Sequence, residues 1–167
     1  IYSIDADIYV SPYGNNNLHT GLSEESSFKT IEYALWRILS DSLNVNTIYL
    51  MEGTYSPSLT GETYPIIMMS HLNLIGAGED VTTLDAEQSG RVITMDQCTN
   101  NTITDLTITG GNTLFQGGGM YLYYSNPMLN HVTIVNNTAE LDGGGMLLSF
   151  SNPTLSHVTI VNNTTDN

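Results

Sequence analysis

The sequence predicts an all-β solenoid, a parallel β-helix carrying a helical cap at its N-terminal end. Three observations predict it. The 22 residues from Gly117 to Thr138 recur at an offset of 26 as Gly143 to Thr164, with 17 of the 22 paired positions identical. Self-similarity at a fixed period of this length marks a solenoid or an array. Within the copies, Val132-Thr133-Ile134-Val135 and Val158-Thr159-Ile160-Val161 are β-branched throughout, which suits a pleated, half-buried strand better than a helix. Each run is bounded by Gly, Asn and Pro, and Met120, Leu122 and Tyr124 alternate with Tyr121 and Tyr123, a period of two.

From the N-terminus, Ile4 to Val10 reads as an extended segment that ends in the Pro, Gly and Asn turn of Ser11 to Asn17. The helix signal follows. Ser26 and Ser27 offer an N-cap, and Phe28, Ile31, Ala34, Leu35 and Ile38 fall on one helical face. A bare first coil exposes apolar core and unpaired strand edge, and the terminal units of solenoids are atypical for that reason. Residues 1–42 are therefore assigned to an N-terminal cap of strand plus helix, and residues 43–167 to the coils. Asn46 to Met51, Tyr64 to Met68, Leu72 to Ile75 and Val92 to Met95 read as strands, residues 54–63 as a polar side loop, and Gly76, Gly78 and Gly90 as turns. From about residue 103 the 26-residue repeat is regular. Ile103 to Thr113 aligns with Leu129 to Ala139 and with Leu155 to Thr165, and the coil region accommodates roughly five such repeats.

Stacking equivalent positions at about 4.8 Å produces columns. Leu106, Val132 and Val158 form one inward column, Ile108, Ile134 and Ile160 the next, and Thr107, Thr133 and Thr159 face outward between them. Gly110-Gly111, Asn136-Asn137 and Asn162-Asn163 follow the strand at a corner that calls for positive φ. Stacked Asn side chains at such a corner hydrogen-bond along the ladder.

Ile8 to Gly14 (IYVSPYG), then Ser27 to Ile31 (SFKTI) and Ala34-Leu35, resemble the N-terminal cap of pectate-lyase-like right-handed parallel β-helix proteins. Leu74 to Gly78 and Thr83 to Asp85 resemble the early coils of the same superfamily. The tandem Ile134-Val135-Asn136-Asn137 followed by Gly143-Gly144-Gly145-Met146 is similar to the repeats of bacterial polymorphic outer-membrane adhesins, with Ile for their Phe and Gly-Met for their Ala-Ile. The resemblance implies a right-handed parallel β-helix. It also implies either polysaccharide chemistry or a surface role, since one fold hosts many functions. Lyases of the superfamily use a basic residue beside a calcium-bound uronate, and its hydrolases use carboxylates on adjacent coils.

With 17 acidic against 3 basic residues the formal net charge is −14. Nucleic acid is excluded as a partner, because phosphate binding needs clustered Lys and Arg, and anionic membranes are disfavoured. Cys98 is the only cysteine, so no intrachain disulfide forms, and it reads as a small buried hydrophobe. No apolar run is long enough to span a membrane. The start at Ile1, without a charged or apolar leader, leads to the expectation of a processed N-terminus and of an extracellular or cell-surface location.

Candidate chemistry is sparse. Arg91 is the one base in the coils, near Asp85, Glu87 and Asp96 in sequence, and reads as a surface ion pair. Asp96, Asp105 and Asp142 occupy no shared repeat position, and no catalytic residue is assigned. Asp105, His131 and His157 do share one. Two imidazoles and a carboxylate at strand spacing are a candidate metal set, with an unliganded polar ladder as the alternative. No cofactor is expected, apart from calcium held loosely at acidic turns such as Glu140-Leu141-Asp142. Tyr121 and Tyr123 offer rings for sugar stacking, a feature not kept at Leu147 and Ser149. Asn100, Asn136, Asn162 and Asn163 match N-x-Thr acceptors. The function expected is non-catalytic, a structural unit of an extracellular fibre or adhesin. It would self-associate head to tail, with Ile4, Ile8 and Val10 at one end and Val158, Ile160, Asn162 and Asn163 at the open other end. Membership of a longer protein accounts equally for that open end. The alternative function is a carbohydrate-binding or carbohydrate-cleaving protein of the pectate-lyase-like group.

Overall fold

The alternation of apolar and polar residues becomes stacked coils in the computed structural model, which describes residues 3–166. β1 (Ile8–Val10) and α1 (Ile31–Arg37) come first. The first coil holds β2 (Asn46–Leu50), β3 (Gly53–Tyr55) and β4 (Ile66–Ile67), and the second holds β5 (Leu72–Ile75), β6 (Thr82–Asp85) and β7 (Ile93–Asp96). The third holds β8 (Thr102–Thr109), β9 (Asn112–Thr113) and β10 (Met120–Tyr123), and the fourth β11 (Met128–Val135), β12 (Thr138–Ala139) and β13 (Met146–Ser149). β14 (Thr154–Val161) and β15 (Thr164–Thr165) belong to the fifth. One sheet runs β1-β2-β5-β8-β11-β14 with β3 and β6 alongside, a second β4-β7-β10-β13, and a third β9-β12-β15. The fold is a parallel β-helix.

The register places each residue on its repeat partner. Ile134 pairs with Ile108 on one side and Ile160 on the other, and Met120 with Ile93 and Met146. Leu106, Ile108, Val132 and Ile134 are fully buried, while Thr107 and Thr133 between them are half-buried. The core is thus a set of apolar columns along the coil axis, continued at the first-coil end by Ile8, Val10, Phe28 and Ile31.

The 26-residue period survives because its corners stack. Gly110, Asn136 and Asn162 take left-handed φ of 67°, 56° and 55°. The residue after each turns inward, and Asn137 is fully buried. Its Oδ1 accepts from the Gly111 N–H at 2.8 Å, and its Nδ2 donates to the carbonyls of Ile108 and Val135 at 3.1 Å and to Asn163 Oδ1 at 3.0 Å. The ladder therefore uses the second Asn of each pair, while Asn136 and Asn162 face solvent.

Four details differ from the sequence reading. Thr30, not Ser26 or Ser27, is the N-cap, accepting from the Tyr33 N–H, and the helix is 7 residues long. The reason is tertiary: Phe28 is extended because its N–H donates to Tyr9 O and its carbonyl accepts from Ser11 N, beside β1. The helix stops at Ile38, which bridges to Ile4. Second, the side loop of residues 54–63 starts in β3 and is anchored inward at two points, with Ser58 and Leu59 left exposed. Tyr55 is fully buried with its hydroxyl at 2.8 Å from the Val10 carbonyl, and Glu62 accepts from the N–H groups of Ile31 (2.6 Å) and Glu32 (3.0 Å) at the start of α1. Third, β6 is a strand that the glycines of Gly76 and Gly78 masked. Fourth, β5 and β6 both pair with β8, so the second coil carries a loop over residues 76–81 where later coils carry one left-handed residue. Those residues are Asp105, His131 and His157, at φ of 58°, 48° and 50°.

Candidate functional site

The Asp105, His131 and His157 column exists, at the bend in each long strand. The two imidazole rings stack at 4.6 Å with 5° between their planes, and Asp105 Oδ1 lies 3.9 Å from His131 Nδ1. Parallel rings direct their in-plane nitrogen lone pairs along parallel lines, whereas a metal needs them to converge. Among the described residues no group of three or more His, Cys, Asp or Glu is placed to hold a metal ion. The column is a polar and aromatic stack, and among the described residues the acidic turn at Glu140 to Asp142 gathers no third His, Cys, Asp or Glu.

Arg91 is not an ion pair. Its Nε donates to Gly117 O at 2.8 Å, its Nη2 to Gln116 O at 2.5 Å and its Nη1 to Thr94 Oγ1 at 3.2 Å, and the guanidinium lies 4.7 Å over the Tyr121 ring. It ties the second coil to the third through carbonyls and a ring face, so the nearby acids of the sequence are not its partners. Cys98 is buried, its thiol donating to Met68 O at 3.2 Å, and burial pushes the thiol up from its ordinary value, the opposite of an activated nucleophile. Glu62 is also raised, by burial, against the pull of the Ile31 and Glu32 N–H groups. Its two contacts identify it as the helix-start acceptor.

Within the chain a ring stack forms at Tyr124, the residue after the two tyrosines that offered rings to sugars. Tyr124 and Phe150 lie parallel at 4.8 Å and 7°, with Tyr123 edge-on to both. Both carry left-handed φ, 44° and 50°, strained for bulky residues, and the stack compensates for that strain. The alternation of Tyr121 and Tyr123 gave no sign of it, because the bend after β10 redirects the next side chain.

The residues expected to mediate assembly separate into two groups. Ile8 and Val10 are fully buried in their own chain, and both edges of β1 are bonded. Ile8 to Val10 pair with Ile48 to Leu50 on one side, and on the other Tyr9 N donates to Gly21 O and its carbonyl accepts from Phe28 N. Ile4 bridges to Ile38. Among the described residues β1 therefore keeps no free edge, because residues 21–38 lie along it. The other group lies on the outermost coil, where Ile160 is 49% exposed against 0% for Ile134 one coil below. Val158 is half-buried and Asn163 bonds inward to Ile134 O at 2.8 Å.

Among the described residues no helix is long and apolar enough to cross a membrane. No curated protein matches the chain. Among solved structures the chain is similar to the pectin methylesterase PemA from Erwinia chrysanthemi, with a TM-score of 0.55 at 12% identity over 82% of this chain and 48% of that one. At that identity the likeness is one of fold, and the chain spans about half the length of that enzyme. The family described as "Protein of unknown function (DUF1565)" matches residues 13–167, and the chain belongs to that family.

Proposed function

We propose that this chain is a non-catalytic structural protein of the cell surface or extracellular space, an adhesin-type coil stack whose β14 coil packs against a further coil of the same kind, from the same chain or from a second copy. One observation carries the reading. Leu148, Leu155 and Ile160 are 46%, 47% and 49% exposed, while their stacked equivalents Leu122, Leu129 and Ile134 are completely covered by a coil of nearly the same sequence. The surface that best complements such a face is another coil of the same kind. The Asn- and Thr-rich, Lys-poor surface supports an extracellular setting.

Sedimentation equilibrium of the chain over a wide concentration range tests the reading. A reversible dimer is expected, converted to monomer by Leu155→Lys with Ile160→Lys while the far-ultraviolet dichroism stays that of a β-helix. A longer chain that lays a further coil on β14 fills this face within one molecule. A monomer at every concentration sinks the second-copy reading.

A further inference from the structure

The strongest unassigned feature is a groove at the opposite end from the β14 coil, and it is independent of the association proposed above. β4 is the outermost strand of the second sheet, and α1 lies beside it. Between them is a groove of about 210 Å³ whose walls include Glu32, Trp36, Thr63, Pro65, Ile67 and Met69. Trp36 is 70% exposed and Ile67 62%. A tryptophan so exposed is the informative exception to burial, since its large flat face is costly to leave in water. We propose that this groove binds one ring of a neutral saccharide.

The chemistry of the walls selects that ligand. A pyranose is amphipathic: its C–H face packs on an indole, and its hydroxyls donate around the rim. Glu32 supplies an acceptor there, because Glu62 rather than Glu32 takes the free N–H groups at the start of α1, and Thr63 adds a hydroxyl. The groove is smaller than the roughly 300–1,000 Å³ that encloses a whole drug-sized molecule, so it accommodates one ring of a longer glycan. Charge excludes the acidic sugars. No Lys or Arg is among the lining residues, one wall is a carboxylate, and the whole chain carries −14, so a uronate is repelled. A peptide added as a strand is also disfavoured, because β4 is two residues long and follows Pro65, which leaves almost no ladder to extend.

Trp36 is the chain's single tryptophan, so its fluorescence reports this groove alone. The test is a titration of the full chain with neutral xylo-, manno-, cello- and laminari-oligosaccharides, with oligogalacturonate and a short Lys- and Leu-rich peptide as the competing classes. A saturable change in emission with at least one neutral oligosaccharide is expected. Glu32→Gln, whose side chain lies outside the core and whose folding is checked by circular dichroism, should weaken that binding about tenfold, the scale of one charge-assisted hydrogen bond. The proposal is overturned if no neutral oligosaccharide changes the emission, if only oligogalacturonate or the peptide does, or if folded Glu32→Gln binds as tightly as the parent.

Discussion

Replacing Asn137 by Ala removes the centre of the corner ladder, and the structure sets the size of the effect. The side chain is fully buried, its Oδ1 accepts one hydrogen bond, and its two Nδ2 hydrogens are shared among three acceptors. Its loss leaves the buried Gly111 N–H without its side-chain acceptor, at about 1–3 kcal/mol, and takes a donor from the Ile108 and Val135 carbonyls. The third and fourth coils lose their corner contact, while the β8–β11, β9–β12 and β10–β13 ladders still join them. We expect a destabilisation of about 3 kcal/mol, a large fraction of the roughly 5–15 kcal/mol that holds a domain together. Asn163→Ala is the internal comparison. Asn163 makes the same contacts to Ile134 O and Val161 O, but on the outermost coil, where water replaces what is lost, so about 1 kcal/mol is expected. Urea unfolding followed by circular dichroism measures both, and hydrogen exchange at the Gly111 amide reads the broken bond directly. The ladder argument fails if Asn137→Ala costs no more than Asn163→Ala, or if the Gly111 amide exchanges at its original rate.

Gly118→Ala tests how tightly the turn between β9 and β10 is packed against the coil above. An added Cβ would sit 2.3 Å from Thr138 O and 2.5 Å from Gly144 O, so the coils must part, at about 1–3 kcal/mol; unchanged stability in a urea melt would show that this backbone approach is slack. Glu62→Gln tests the buried carboxyl. Because burial raises it above its ordinary value of 4.5, its contribution is fully present below that pH and is lost as pH rises through its folded value. The stability gap between wild type and Glu62→Gln should therefore narrow in melts run from about pH 4 to pH 7, and a gap that widens refutes the direction.

The sequence by itself determined the fold class. A 26-residue period with β-branched runs and Gly or Asn corners admits few structures other than stacked strands, because each column must repeat its own chemistry to bury itself. The columns of Leu106, Ile108 and their partners fell into register as their spacing required. Only the tertiary structure decided how the irregular residues are used. Ser26 and Ser27 are better caps by local preference, yet pairing of Phe28 beside β1 delayed the helix to Thr30. Glu62 lies 30 residues from the helix N–H group of Glu32 that it satisfies. His131 and His157 share a column, but the left-handed bend stacks their rings instead of converging them. Trp36 gained its place as a groove wall from the strand across from it, not from its neighbours in the chain. Periodic contacts join residues one repeat apart, so spacing reveals them. Caps, bends and grooves join residues at arbitrary separations, and only the folded chain brings those together.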